Sequence, residues 1–155
     1  MSELKLDDNY WMQQALILAQ KALEQGEVPI GAILVLNFNI IGRGWNRSIK
    51  NHDPTAHAEI IALQQGGQIL QNYRLLNSTM YVTLEPCIMC AGAILHSRIK
   101  HLIYGASNIE TGAVNSVLNI FNHSKINHKI KITSGIMDRE CSEFLKNFFQ
   151  KRRHQ

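Results

Sequence analysis

The sequence predicts a single three-layer α/β domain, residues 1–155, with a sheet of about five strands covered by helices on both faces. Three observations carry this. The chain has 155 residues, the length of one ordinary domain and too short for two. Its hydrophobic content of 45% against 18% charged excludes a disordered or fibrous chain and suffices for a real core. Segments of helical periodicity alternate with short β-branched runs, and no repeat, low-complexity tract or linker interrupts them.

The elements follow in order. Asp7 or Asp8 can cap a first helix whose Trp11, Ala15, Leu18 and Ala22 share one face, with Gly26 at its left-handed stop. Beyond Glu27-Val28-Pro29, the runs IGAILVL and IIGRGW flank Asn37, Phe38 and Asn39 and read as a hairpin. Residues 46–56 form a loop. Thr55 can cap a second helix, HAEIIALQQ, terminated by Gly66-Gly67. TMYVTLE is a strand, and Pro86 opens a helix through Cys87, Cys90 and Ile94. Lys100 to Tyr104 is a strand, followed by a loop holding Gly105 and Gly112 and a short helix near Val117 to Phe121. A strand at Lys129 to Thr133 and a helix from Asp138 to about Arg152 complete the chain.

Composition narrows the function classes. No apolar stretch approaches the roughly 20 residues of a membrane span, and the start, MSELKLDDNY, is acidic rather than a basic-plus-apolar leader. The expectation is a cytoplasmic protein with no membrane partner. Three cysteines, Cys87, Cys90 and Cys141, suit thiol or metal chemistry in a reducing compartment better than a disulfide framework. The net charge of +4 is uneven: residues 125–155 carry eight Lys/Arg against Asp138, Glu140 and Glu143. A basic end is either a solvated helix terminus or a footprint for a polyanion, and charge alone does not decide.

Chemistry concentrates in two places. His57-Ala58-Glu59 precedes Pro86-Cys87-Ile88-Met89-Cys90 and with it offers one imidazole, two thiols and one carboxylate. Cys87 and Cys90, three apart in the first turn of a helix, put both sulfurs on one side of an N-terminus that favours thiolates. Two thiolates and a neutral His57 select Zn²⁺ and leave a fourth tetrahedral position for water, as in a catalytic site. Glu59 then stands beside the metal as a proton carrier rather than a ligand. The alternatives are a closed zinc knuckle, with His101, Cys141 or His52 as fourth ligand, and a redox Cys-x-x-Cys pair, which leaves His57-x-Glu59 without a purpose.

The same residues carry a resemblance. His-Ala-Glu followed by Pro-Cys-x-x-Cys is the signature of the zinc-dependent nucleobase deaminases. The segments EVPIGAILV, GWNR, HDPTAHAEI, QNYRL, YVTLEPCIMCAGAI, HSRI and FFQKRR extend the similarity over nearly the whole chain to the bacterial tRNA-specific adenosine deaminases, the TadA family. The resemblance implies the cytidine-deaminase-like α/β/α sandwich on a mixed sheet and a homodimer with one Zn²⁺ per subunit. The implied reaction is adenosine to inosine at the wobble position of a tRNA anticodon stem-loop, typically that of the arginine tRNA with anticodon ACG. It implies that Glu59 shuttles the proton, that Asn46 bonds the base edge, and that Ala58, Val28, Pro29 and Leu84 line the pocket. Asn46 taken alone also reads as a turn residue.

Phe144 and Phe148, four apart, read as core. Phe149, Arg152 and Arg153, with Lys151 and His154, read as a surface for unpaired bases and phosphate. Asn108 stands where the family mostly carries Asp, in a loop expected near the RNA. A deaminase of free bases such as guanine or cytosine, and a catalytically inert zinc-stabilised RNA-binding module, are the competing functions. The basic tail argues against the first and Glu59 against the second.

Overall fold

A computed structural model describes residues 6–153. The domain ends 1–5 and 154–155, with His154, lie outside them. Asp7 caps helix α1 (Asp8–Glu24) by accepting from the Tyr10 amide at 3.0 Å, and Gly26 at φ 77° ends it. Strands β1 (Gly31–Leu36) and β2 (Asn39–Trp45) form the expected hairpin. Its loop is shorter than expected: Asn37 and Phe38 alone turn the chain, both at positive φ, and Asn39 already pairs with Leu36.

Helix α2 (Ala58–Leu70) runs straight through Gly66-Gly67 and stops at Gln71 in the left-handed conformation, so the expected glycine stop is corrected. A Cβ on Gly66 would sit 2.6 Å from Leu34 Cδ2, so this glycine serves packing against the sheet rather than termination. Thr55 is not its cap either. Its amide and hydroxyl both donate to Asp53, at 2.8 and 2.7 Å, and the position preceding the helix belongs to His57.

Strand β3 (Thr79–Leu84) leads to helix α3 (Ile88–Ser97) and strand β4 (His101–Ala106). Gly105, expected in a loop, lies inside β4 because Cys141 of the last helix packs directly on it. The expected short helix is a single 3-10 turn, Ile120–Asn122, and strand β5 (Lys131–Thr133) begins two residues late. Helix α4 (Asp138–Arg153) closes the order.

The sheet is five-stranded and mixed, in the order β2-β1-β3-β4-β5; β2-β1-β3 are antiparallel and β3-β4-β5 parallel. Alternation along the strands divides the core. Leu34, Met80, Val82, Leu102 and Tyr104 pack with α2 and α3, whereas Ile33, Val35, Tyr81 and Ile103 pack with α1 and α4. The α/β/α sandwich is therefore as expected. Parallel pairing of β3 with β4 aligns the carboxyl end of β3 with the N-terminus of α3, beside the start of α2, which is where the chemistry-bearing residues meet. Among the described residues no helix is long and apolar enough to cross a membrane.

Candidate active site

Two helix N-termini converge. His57 immediately precedes α2 and Cys87 immediately precedes α3, with extended backbone at both, and Cys90 lies in the first turn of α3. The imidazole Nδ1 is 3.7 Å from Cys87 Sγ and 3.5 Å from Cys90 Sγ, and the three donor atoms lie within 4.8 Å of one another. A tetrahedral zinc about 2.1 Å from nitrogen and about 2.3 Å from sulfur would hold such a pair about 3.6 Å apart, so the donor set fits that ion. Among the described residues no further His, Cys, Asp or Glu joins this cluster. The proposed fourth ligands of a closed knuckle are engaged elsewhere or remote: His101 contacts Thr133 Oγ1 at 2.7 Å, Cys141 packs on Gly105, and His52 sits in the 46–56 loop.

The electrostatics favour a thiolate at Cys87. A hydrogen bond from Cys90, reinforced by His57 and the Cys90 amide at the helix start, holds the Cys87 thiol down at about 4. Cys90, which donates that bond from a buried position, is pushed up. Glu59 is 4% exposed, and burial raises its carboxyl to about 7. It faces the same cleft as His57 and Cys87 without joining the donor cluster. This cleft, of about 380 Å³, is also lined by Val28, Asn46, Leu84, the loop 107–111 and Phe149.

Residues 6–153 match the family model of the MafB19-like deaminases. The tRNA-specific adenosine deaminase of Haemophilus influenzae is 60% identical over 149 residues, covering 96% of this chain and 86% of that protein. This chain belongs to the tRNA-specific adenosine deaminase family. A further member, from Streptococcus pyogenes serotype M1, is 39% identical over 96% of this chain and 87% of its own length. A structure solved in a study of A-to-I editing by tRNA:A34 deaminases at the wobble position superposes with a TM-score of 0.85 at 43% identity, covering 88% of this chain and 99% of that one. A guanine deaminase from Nitrosomonas europaea shares the fold at 21% identity and a TM-score of 0.80, covering 94% of this chain and 86% of that one.

In this deaminase the expected pocket residues divide. Val28, Asn46 and Leu84 line the cleft, but Pro29 is buried behind it and Ile30 takes its place. Ala58 does not line it; its amide donates to Asn46 Oδ1 at 2.8 Å. Asn46 thus caps α2 from another segment, which fixes its amide at the cleft wall. Asn108 lines the cleft and is knitted to Thr111 by bonds of 2.9 and 3.1 Å.

On α4, Phe148 is buried, Phe144 packs against the inner core, and Phe149 remains 48% exposed at the cleft. The Arg152 guanidinium lies 4.8 Å from the Phe148 ring and donates to the Gly26 carbonyl at 3.3 Å, tying α4 to the end of α1, and the residue also lines a neighbouring cleft with Phe149. Arg153 lines the same neighbouring cleft.

Two site-building carboxylates escape sequence reasoning. Glu27 is 2% exposed and accepts from the Ile49 and Lys50 amides at 3.1 and 2.8 Å, pinning the 46–56 loop that connects Asn46 to His57. Glu85 is 1% exposed and pins the loop beyond Asn108. In sequence each resembles a solvated charge within two residues of a proline, and no periodicity marks either as buried.

Proposed function

We propose that this chain hydrolyses the exocyclic amine of adenosine at the wobble position, 34, of a tRNA anticodon, yielding inosine and ammonia, with the arginine tRNA of anticodon ACG as substrate. The observation that carries this reading is the burial of Glu59 beside His57, Cys87 and Cys90 in a cleft whose rim bears the exposed Phe149. His57, Cys87 and Cys90 would hold one zinc per subunit. Zinc, when bound there, supplies a Lewis acid that brings the pKa of water from about 15.7 to about 7.

The protein's own groups do the rest. Glu59 takes the proton of the attacking water and delivers it to N1 of adenine as oxygen bonds to C6. It then carries a proton to the departing amine as the C6–N bond breaks, so that ammonia leaves and inosine remains. Asn46, its Oδ1 already held by Ala58, has its Nδ2 to donate to a ring nitrogen of the base. Val28, Ile30 and Leu84 exclude water around the ring. Phe149 stacks on an unpaired neighbour of the target base, with Arg153 beside it for phosphate.

The enzyme acts as one catalytic unit in the cytoplasm and as a homodimer. Support for the dimer comes from the groove of about 720 Å³ between α2 and α3, lined by Ile60, Leu63, Tyr73 and Ala93, with Tyr73 74% exposed. Sedimentation of the purified protein checks it; a monomer at micromolar concentration refutes it. The test of the activity is to incubate the zinc-loaded protein with an anticodon stem-loop bearing A at position 34 and, separately, with free adenosine and guanine. Inosine from the stem-loop alone is expected, and turnover of the free compounds in its place would assign a free-base deaminase.

A further inference from the structure

One buried acidic side chain takes no part in the chemistry above. Strand β3 ends at Leu84, and the next residue, Glu85, extends the pairing by donating its amide to Ala106 at 2.8 Å. Its carboxylate is turned inward, 1% exposed, with no Lys or Arg among its hydrogen-bond partners. Instead it gathers backbone amides: Asn108 on Oε1 at 3.2 Å, and Val114, Asn115 and Ser116 on Oε2 at 3.1, 2.9 and 3.0 Å. The Ser116 hydroxyl completes the set on Oε1.

Amides from both ends of one loop thus meet on a single carboxylate. The neighbours of Glu85 continue the seam: Pro86 accepts from the Ala113 amide at 2.9 Å, and Cys87 bridges Gly112. The loop it encloses, Ser107 to Thr111, is a wall of the catalytic cleft facing His57 and Glu59. Gly112 fits only because it lacks a side chain, since a Cβ there would fall 2.4 Å from Glu85 Oε2 and 2.5 Å from the Asn108 carbonyl. The loop bears the exposed Ile109, 82% accessible, at the cleft mouth.

We propose that Glu85 is a positioning residue of this deaminase: its buried carboxylate gathers both ends of the 107–116 loop and so sets the wall against which the RNA substrate is seated. It lines the same cleft as His57 and Glu59 and acts on binding through the loop. The inference rests on the reading of the cleft as a deaminase site for RNA, and its test separates the two.

Glu85→Gln keeps the shape but turns an NH₂ group toward donors, so part of the amide cluster loses its acceptor. The zinc-loaded variant and Gly112→Ala are compared with the parent by peptide-resolved hydrogen exchange and by steady-state kinetics on a wobble-A stem-loop. Both variants are expected to lose protection selectively in residues 107–118 while α2 and β1 stay protected. Glu85→Gln is also expected to raise KM for the stem-loop by about tenfold, with kcat held within about threefold, whereas Gly112→Ala, whose backbone bridges Cys87, is read by exchange. Glu85→Asp, an acceptor one methylene shorter, should fall between parent and Gln. Unchanged protection of 107–118 in both variants overturns the proposal, as does an equal fall of kcat with KM unchanged. If Glu85→Gln fails to fold, Ser116→Ala carries the same comparison and Gly112→Ala its exchange arm. A parent that leaves the stem-loop unreacted refutes the assigned reaction, whereas the exchange pattern still decides whether Glu85 holds the loop.

Discussion

Replacing Gly44 by Ala tests how tightly the sheet dictates the geometry of the site. A Cβ on Gly44 of β2 would lie 2.0 Å from the Ala58 carbonyl oxygen and 2.8 Å from the Ala62 amide. Both are backbone atoms of α2, so no rotamer relieves the clash and the helix must retreat from the sheet by about 1 Å to restore ordinary contact. Overpacking of this kind costs about 1–3 kcal/mol, which for a domain of this size lowers Tm by about 3–10 °C. The displacement does not stay local, because Ala58 follows His57 directly, and metal sites tolerate ligand shifts of only about 0.2 Å. Zinc affinity should fall by about 10–100-fold, as when an outer-shell support is lost. Thermal melts and competition with a chromogenic chelator measure both effects. Gly92→Ala is the control, since a Cβ on that α3 residue meets nothing within 4 Å and should leave the domain as stable or slightly more so. A Gly44→Ala protein with parental Tm and parental zinc affinity would refute the claim that the α2–β2 contact places His57.

Four further outcomes follow from the same geometry. Cys87→Ala should lose the bound zinc by elemental analysis and melt earlier, because ligand bonds contribute to folding free energy; a full metal complement would overturn the ligand assignment. Phe149→Ala should weaken stem-loop binding by about 1–3 kcal/mol with little change in Tm. Arg152→Ala, which breaks the contact to Gly26, should lower Tm with little change in the salt dependence of RNA binding; the reverse pattern would return Arg152 to the RNA surface. Burial, with Lys131 beside it, holds the His101 imidazole below its ordinary 6.5, although Asp8 opposes this and Lys100 adds to it. The unfolded chain therefore binds the proton first, so stability present above 6.5 is lost as pH falls through that value and levels off below the folded one. His101→Gln should flatten the Tm profile below about pH 6.5, and an unchanged slope would exclude His101 as its source.

Period and punctuation made most of the elements legible. The Asp7 cap and the strands lie where expected, whereas Pro86, expected in the first turn, stands just before the Cys87 cap of α3. The errors arose where tertiary packing overrode a local rule. Gly66-Gly67 has the chemistry of a helix stop, yet α2 continues because Gly66 is needed under Leu34. Gly105 looks like a loop residue and is a strand residue that makes room for Cys141.

The spacing of His57, Glu59, Cys87 and Cys90 was enough to bring the donors together in thought, because ligand chemistry constrains residue type and interval jointly. Arg152 shows the limit of one dimension: a cation near an aromatic suits an RNA surface and a helix-to-helix clasp equally well, and only the fold reveals its bond to Gly26. Glu27 and Glu85 were invisible for a different reason: what makes a carboxylate a loop anchor is the convergence of distant amides, which leaves no local pattern.

The central claim is that Glu59 does the proton work beside a zinc it does not hold. The most direct measurement is the single-turnover rate of inosine formation by Glu59→Gln on a wobble-A stem-loop, taken with its zinc content and its affinity for the same RNA. The account predicts one zinc per chain, parental affinity and a rate lower by about 10²–10⁴-fold. A near-parental rate, or loss of the zinc with the side chain, would contradict it.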